Sequence, residues 1–369
     1  MSMAQARIDE QSVGSETYGF DAIRGVQAGR EFYVAMCPLK IIPKLFIFND
    51  YEISPELRAQ RILKESRIPA IKNYILNNPN NYTFSSLTAS VDGIMKFTPA
   101  ASLGEEGKLG RLYINMDSRL LINDGQHRRK AIEEALKENT DLGHEMISVV
   151  FFQDDGLKRS QQMFTDLNKN AVKPTKSLNI LYDHRDEFSK YIVNLVSTLE
   201  IFEGRVELEK TSISNRSTKA FTLNGIADSS LRLIGTTKSR KPTLKEKELI
   251  KEFWEIVSEN IAEWQLLLND KVSSAELRKN FVNTNTNLLN ALGIAGRIII
   301  NEFPDDWKNK LKGLKKINWS RDAPVWEGRL IVNGQMQKQS AGIELAANTI
   351  LLQCGVSLSE DRQKIEDKI

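Results

Sequence analysis

The 369-residue sequence predicts an α+β fold, in which a mixed β-sheet with helices is followed by a mainly α-helical C-terminal domain. Three observations predict it. Short runs rich in aromatic and β-branched residues alternate with helical patterns up to about residue 180. After that point strand patterns become scarce, and apolar residues recur at the helical period. A hydrophobic content of 41% is enough to bury a core, so the chain is expected to be globular.

The first elements are predicted from composition and from the positions of prolines. Residues 30–48 mix aromatic and β-branched residues with two prolines, which predicts strands interrupted at edges or bends. Residues 54–78 predict two helices, with Ser54 as a cap and a division at Pro69. The division is expected because proline cannot donate the hydrogen bond that continues a helix.

Further strands are predicted on both sides of a polar break. Residues 82–93 and 111–123 have strand patterns, and the second range is interpreted as a hairpin that turns at Asp117 and Ser118. A loop separates the two ranges. Residues 146–154 form a short apolar run that is typical of a buried strand.

Helices are predicted for most of the chain that follows. Met163, Phe164 and Leu167 lie on one predicted helical face, Asn168 is near the end of that helix, and Pro174 prevents it from continuing. In the later part of the chain, helical spacing relates Leu249, Phe253, Ile256, Val257, Ile261 and Trp264.

Length and residue usage limit the domain organisation and the compartment. We expect a flexible tail over residues 1–18, a first domain over residues 19–190, and a helical domain over residues 191–369 that binds DNA, partner proteins or both. No apolar run approaches the roughly 20 residues that span a bilayer, and the N-terminus lacks the apolar centre of a secretory signal. Cys37 and Cys354 are expected to be buried free thiols, which indicates a reducing, cytoplasmic location.

Total charge does not identify a partner. The chain has 51 basic and 48 acidic residues, a net charge of +3 and a pI of about 8.6. This excess is too small to indicate nucleic-acid binding, so the distribution of the charges must decide. His127, His144 and His184 do not have the spacing of metal ligands, and the two cysteines form no zinc pattern, so no metal site is expected.

A crowded polar break joins an apolar strand to an amphipathic helix. Its residues are Asp124, Gly125, Gln126, His127 and Arg128. The arginine lies beside free backbone N–H groups at the positive end of the helix dipole, where a guanidinium is unfavourable unless an anion arrives. The glycine permits close approach of a ligand, the aspartate could cap the helix, and the other two side chains add donors. This arrangement is suited to phosphate.

A structural role for the same residues remains open. Asp124 and Gly125 would form a turn, His127 would pack under the sheet, and Arg128 would pair with an acidic side chain elsewhere. Short motifs also occur often by chance. The next two residues, Arg129 and Lys130, precede Glu133 and Glu134 by four positions and are expected to form surface ion pairs that need no function.

The pentapeptide at residues 124–128 resembles the namesake motif of the DGQHR-domain family, and within that family the chain is most similar to the DndB proteins of bacterial DNA phosphorothioation systems. Residues 162–178 resemble the second segment of the family, with an aromatic residue, Leu-Asn and a later Lys-Pro. Residues 211–226 extend the resemblance, which covers most of the chain.

The resemblance implies a ParB/sulfiredoxin-like fold for the first domain, in which a strand delivers a short motif to a helix N-terminus that binds nucleotide phosphates. The implied nucleotide or phosphate ligands are Asp124, Gly125, Gln126, His127, Arg128, Asn168 and Lys173. Sulfiredoxin has a Gly-Cys-His-Arg run at the comparable place, whereas Gln126 precedes His127 here. Thiol-based phosphoryl chemistry is therefore excluded, and the anion-binding part of the motif remains.

Three basic clusters could contact DNA phosphates. The preferred cluster surrounds a predicted loop and contains Arg232, Lys238, Arg240, Lys241, Lys245 and Lys247. A second cluster, in residues 305–321, mixes lysines with Trp307 and Trp319, and such a mixture can contact a nucleic-acid backbone. A third consists of Arg216 and Lys219. For each cluster, a solvated surface without function remains the alternative.

The resemblance implies a DNA-binding transcriptional regulator of the modification operon. Its expected partners are double-stranded promoter DNA and other phosphorothioation proteins, and a homo-oligomer is compatible with this role. A rival hypothesis is an ATPase or DNA nickase that uses Asp124, His127 and Arg128 as catalytic residues, with a nucleoside triphosphate and a divalent metal ion as cofactors. A scaffold that joins the modification enzymes is the third hypothesis.

Overall fold

The computed structural model describes residues 17–46, 63–100, 107–153, 157–169, 173–336 and 340–367. Contacts divide the chain between residues 172 and 173 into two compact units, which we call the first and the second unit. The first contains a seven-stranded mixed sheet with helices, and the second is mainly helical. The predicted α+β class is confirmed.

The strands of the first unit form one sheet with the order β4-β5-β1-β2-β7-β3-β6. Strand β3 is parallel to β7, and all the other neighbouring strands are antiparallel. The strands are β1 (Thr17–Gln27), β2 (Arg30–Pro38), β3 (Leu87–Asp92), β4 (Met95–Pro99), β5 (Leu109–Asn115), β6 (Arg119–Asp124) and β7 (Met146–Gln153). The helices are α1 (Ile42–Leu45), α2 (Ile68–Leu76), α3 (Gln126–Glu138) and α4 (Leu157–Lys169).

Two short connections require this sheet to curl. Gly93 and Ile94 alone join β3 to β4, although β4 lies at the opposite side of the strand order. Because an extended residue spans at most about 3.5 Å, the two sides of the sheet must approach each other at this corner. Gly93 has φ +149°, and a Cβ there would lie 2.9 Å from the Cα of Ser118 in the neighbouring connection. Glycine is therefore required where the two connections touch.

The predicted hairpin in residues 111–123 is wrong. A turn does form at Asp117 and Ser118, but the strands on either side do not pair with each other. Strand β5 pairs with β1 and β4, whereas β6 pairs with β3. The turn lies at the corner where the sheet curls, so its two strands separate to opposite sides of the strand order.

Other predictions in the first unit are partly confirmed. Strand β7 and helix α4 form where they were predicted, and Thr17 and Tyr18 of the predicted tail belong to β1. Residues 42–45 form a helix within a range predicted as strand, because Pro43 in its first turn has a backbone angle suited to a helix start. Pro69 likewise lies in the first turn of α2, which directly follows a short 3-10 helix (Glu65–Arg67), while Ser54 lies outside the described residues.

The second unit contains most of the helices and two small strand pairs. Strand β8 (Val206–Glu207) pairs with β9 (Phe221–Thr222), and β10 (Ile331–Val332) pairs with β11 (Gln335–Met336). The helices are α5 (Lys176–Tyr182), α6 (Glu187–Thr198), α7 (Leu223–Leu233), α8 (Leu244–Asn260), α9 (Ala262–Leu268), α10 (Ser274–Asn280), α11 (Thr286–Glu302), α12 (Trp307–Leu311), α13 (Ser340–Gln353) and α14 (Glu360–Glu366).

An aromatic cluster fills the core of the second unit. Trp254 packs edge-on against Phe202 and Phe253 and stacks on Trp264, with ring centroids 5.3–6.3 Å apart. All five tryptophans of the chain are buried in this unit. The periodic residues predicted from Phe253 to Trp264 are buried except Ile256, which packs on the core at its edge. The helical period therefore identified the core-facing side of α8.

The division between the units lies before the predicted boundary at residue 190. Helix α6 runs without interruption through that boundary, and its Phe188 and Ile192 belong to the core of the second unit. Cys37 and Cys354 are buried free thiols, as predicted, and burial raises the pKa of each to about 12. Among the described helices, none combines the length and the apolar character needed to cross a membrane.

Candidate functional site

The polar motif lies at the junction of β6 and α3, as the sequence predicted. Gly125 has φ +102° and ψ +12°, a left-handed conformation that favours glycine. A Cβ there would also lie 2.3 Å from a methyl group of Leu87 in β3. The predicted cap is wrong, because no side chain caps the N-terminus of α3 and Asp124 pairs with Arg128 instead. The glycine allows the tight passage from strand to helix.

The guanidinium of Arg128 is held by protein oxygens. Its Nη2 donates to Oδ2 of Asp124 at 2.7 Å. Its Nη1 donates to the carbonyl oxygens of Ser85 and Ser86 at 2.5 and 3.0 Å and to the hydroxyl of Ser85. Only 15% of the side chain is exposed. The Asp124 carboxylate therefore balances the charge that was expected to attract a phosphate, and Arg128 ties the motif to the segment before β3.

His127 also makes a contact within the protein. Its Nε2 accepts a hydrogen bond of 3.1 Å from the backbone N–H of Lys64. An accepting Nε2 carries no proton, so in this contact the nitrogen serves as an acceptor. His127 thus connects the motif to the residues that precede α2.

A cavity of about 650 Å³ opens on the other side of the motif. Gln126 and Arg129 reach its wall from the first turn of α3, and both residues are more than nine-tenths buried. The Oε1 atom of Gln126 and the Nε atom of Arg129 have no hydrogen-bond partner among the described residues. The described residues that line the cavity are Pro43, Leu63, Glu65, Ile68, Pro69, Gln126, Arg129, Lys130, Glu133 and Glu134.

Arg129 was expected on the surface, and this prediction is wrong. Its Nη1 pairs with Glu133 as expected, but its Nη2 donates to the carbonyl oxygen of Pro43 at 2.8 Å. Helix α1, which the sequence did not predict, supplies that oxygen. Lys130 forms the expected pairs with Glu133 and Glu134, which raise its pKa.

The cavity is better suited to a neutral polar group than to phosphate. Gln126 and Arg129 both line the cavity, and each has a buried polar atom without a partner among the described residues, an acceptor on the first and a donor on the second. If the side chains turned toward the cavity, this pair would match the donor and acceptor of an amide or a nucleobase edge. Prolines and aliphatic side chains supply the apolar part of the wall. Three carboxylates also line it, those of Glu65, Glu133 and Glu134. The two cations in the lining, Arg129 and Lys130, are already paired with two of these carboxylates, so no positive charge is in excess to attract a phosphate.

The two remaining nucleotide candidates lie outside the motif. Asn168 is exposed in the last turn of α4, and its Nδ2 donates to the carbonyl oxygen of Phe164 at 2.7 Å. Lys173 is exposed and is the first residue of the second unit. Their role in nucleotide binding remains a prediction.

The preferred basic cluster surrounds residues 234–243, which connect α7 to α8, and we call this connection the basic loop. Thr243 caps α8, and the Glu246 side chain accepts from the backbone N–H of Thr243 to complete a capping box. Glu246 also binds Arg240, whose guanidinium holds the pKa of that carboxyl at about 2. Arg240 therefore fixes the loop. Lys241 and Lys245 are exposed and form no ion pair among the described residues.

The family model described as DndB, DNA-sulfur modification-associated, matches residues 20–357. The chain belongs to the DndB family. The matched region includes the polar motif of the first unit and the basic loop of the second. Membership associates this DndB chain with DNA sulfur modification. No curated protein and no solved structure matches the chain, so the likeness to the ParB/sulfiredoxin fold remains an expectation.

In the other two basic clusters of this DndB chain, several of the side chains are buried or bound to other parts of the second unit. Trp307 and Trp319 are buried, so they cannot supply the aromatic surface that the sequence suggested. Lys219 donates through Nζ to the carbonyl oxygen of Gly204 at 2.7 Å, whereas Arg216 is exposed. Arg278, which sequence reasoning did not single out, donates to four carbonyl oxygens in residues 214–219 and fixes this segment.

Proposed function

We propose that this DndB-family chain is a DNA-binding regulator of a bacterial DNA phosphorothioate modification operon, and that the basic loop and the first turn of α8 contact the DNA backbone. The observation that carries the proposal is the pair of exposed lysines, Lys241 and Lys245, neither of which forms a close ion pair among the described residues. The charge of Lys241 acts on Glu187 only at longer range. Family membership supports the link to sulfur-modified DNA systems. Promoter DNA and other phosphorothioation proteins are the partners that fit this role.

The physical basis is the release of counterions from DNA. Each lysine that neutralises a phosphate contributes a slope of about −0.9 to the dependence of log affinity on log salt. A lysine already paired with a carboxylate contributes less, because its charge is balanced before DNA arrives. Arg240, which is bound to Glu246, is therefore expected to position the loop, while Lys241 and Lys245 contact phosphates.

Reversing both charges in Lys241→Glu/Lys245→Glu should weaken binding to a promoter duplex by at least about 30-fold near 0.1 M salt and lower the salt slope by about 2. Fluorescence anisotropy across a salt series measures both quantities. The control is Lys271→Glu/Lys279→Glu, which makes the same charge change at exposed positions of the same unit. Equal loss in the two double variants would contradict a role for the basic loop.

A second candidate function is nucleotide binding beside the polar motif. The unpartnered Gln126 Oε1 and Arg129 Nε atoms favour it, because the first would accept a hydrogen bond from a base edge and the second would donate one, once their side chains turn toward the cavity. The base would enter the cavity, and the Arg128 guanidinium would keep its contacts with Asp124 and the serine carbonyls. Hydrolysis or DNA nicking would need a further catalytic group beyond these contacts.

Calorimetric titration with ATP tests this candidate. Gln126→Leu should weaken ATP binding about tenfold or more. The substitution removes the hydrogen bond between Gln126 Oε1 and the base, and the donor on the base is left unpaired. Gln162→Leu makes the same chemical change at an exposed position of α4 and should bind like the wild type. Absence of ATP binding by the wild-type chain would eliminate the candidate.

A further inference from the structure

A second cavity, of about 570 Å³, lies within the second unit and is lined by four cationic side chains. It is bordered by the start of the basic loop and by helices α7, α11 and α14. No carboxylate is among the described residues that line it. These residues are Arg232, Gly235, Thr236, Thr237, Lys238, Ile294, Arg297, Ile298 and Arg362.

Three of the four cations have N–H donors without a hydrogen-bond partner among the described residues. Arg297 and the ammonium of Lys238 form no ion pair or hydrogen bond among the described residues. Arg232 donates through Nε to Oδ1 of Asn290 at 2.9 Å, which orients the guanidinium and leaves both terminal nitrogens without a partner in the described part of the chain. Like charges that share a concave surface repel one another, and an anion relieves that repulsion.

The fourth cation is part of the wall. Arg362 donates to Oδ1 of Asn348 at 2.8 Å and to Oε2 of Glu344 at 3.0 Å. Its charge is therefore balanced by a carboxylate that does not line the cavity. The excess positive charge belongs to Arg232, Lys238 and Arg297.

The loop backbone is shaped to admit Arg297. Gly235 has φ +80°, and the N–H groups of Gly235 and Thr236 donate to the carbonyl oxygens of Arg232 and Leu231, which is the pattern of a Schellman motif at the end of α7. A Cβ on Gly235 would lie 1.4 Å from Nη1 of Arg297. The guanidinium thus occupies the space that the glycine leaves open.

The same turn positions the lysine. The hydroxyl of Thr236 accepts from the backbone N–H of Lys238 at 3.1 Å, which fixes the backbone from which the ammonium extends. Arg232, Lys238 and Arg297 therefore reach one cavity from α7, from the basic loop and from α11, each placed by a separate contact.

We propose that this cavity is an oxyanion site that binds a phosphate group through Arg297, Arg232 and Lys238. Guanidinium groups match the geometry of phosphate oxygens, and charge-assisted hydrogen bonds are the strong ones. The phosphate is either a diester of the DNA backbone, in which case the site rests on the proposed function, or a phosphate of a free small molecule. Both sources present the same oxygens to the three side chains.

Titration of the full chain with pyrophosphate at low salt tests the site. Arg297→Gln is expected to weaken pyrophosphate binding about tenfold or more, because one charge-assisted contact is lost. Gly235→Ala should also weaken it without any change in charge, since the new methyl group displaces the guanidinium. Lys271→Gln removes one exposed cation elsewhere in the unit and should leave binding unchanged. Tryptophan fluorescence during thermal unfolding confirms that each variant is folded.

A parallel titration with a promoter duplex identifies the source of the phosphate. Loss of both pyrophosphate and duplex affinity in Arg297→Gln assigns the site to the DNA backbone. Loss of pyrophosphate affinity with unchanged duplex affinity assigns it to a small phosphorylated molecule. The proposal is overturned if the wild type does not bind pyrophosphate or if Arg297→Gln binds it like the wild type. Failure of the basic loop as a DNA contact is judged separately, from Lys241→Glu/Lys245→Glu.

Discussion

Replacing Arg128 with methionine is expected to lower the free energy of unfolding of the first unit by about 3 kcal/mol. The substitution keeps the apolar stem and removes the guanidinium. The carbonyl oxygens of Ser85 and Ser86 then lose a charged donor, and the Asp124 carboxylate loses its partner. The estimate stays below that for a fully buried pair because Asp124 is 44% exposed.

Native-state hydrogen exchange of β3 and β6 measures this loss for the first unit alone. The matched control is Arg119→Met, the same substitution at an exposed position of β6, which should change the free energy by less than about 0.5 kcal/mol. If Arg128→Met were no more destabilising than Arg119→Met, the Arg128 guanidinium would not stabilise the first unit. It would then be available to bind a ligand.

Replacing Trp254 with alanine should cost the second unit about 3–5 kcal/mol, the range for removing a large aromatic side chain from a core. Its ring is fully buried among Phe202, Phe253 and Trp264. Its Nε1 donates to the hydroxyl of Ser230 at 3.0 Å, so the side chain also joins α8 to α7. These two helices hold the ends of the basic loop, and DNA affinity should fall with stability.

Urea unfolding followed by the fluorescence of the four remaining tryptophans measures the loss, because every tryptophan lies in the second unit. Leu244→Ala, at a position of α8 that is 77% exposed, is the control and should change the midpoint little. A midpoint for Trp254→Ala close to that of the control would contradict the role of this ring in the core.

Much of the fold is predictable because burial imposes a period on the sequence. The apolar run at residues 146–154 indicated a buried strand, and the helical spacing from Phe253 to Trp264 indicated which side chains face a core; the structure forms β7 there and buries most of the spaced residues. Strand pairing is a different matter. The residues of the turn at Asp117 and Ser118 would be the same whether the strands on either side pair or diverge. The sequence near the turn therefore could not predict that the sheet curls.

In the candidate site, too, the sequence did not predict which residues contact the side chains of the motif. The sequence left open that Arg128 pairs with an acidic side chain elsewhere in the chain, as one of two interpretations. The structure shows that the partner is Asp124, within the motif itself, which the sequence analysis had assigned to a cap or a turn. The choice between the two interpretations depends on carbonyl groups of Ser85 and Ser86, which no pattern near the motif indicates. Arg297 was missed for a similar reason, because only the fold brings α11 to the basic loop.

The most direct test of DNA binding by the second unit is hydrogen exchange of the full chain with and without a promoter duplex. We expect slower exchange of the backbone amides in residues 236–245 when DNA is bound, with no added protection of residues 124–128. Protection confined to residues 124–128, or none in the basic loop, would contradict DNA binding through the second unit.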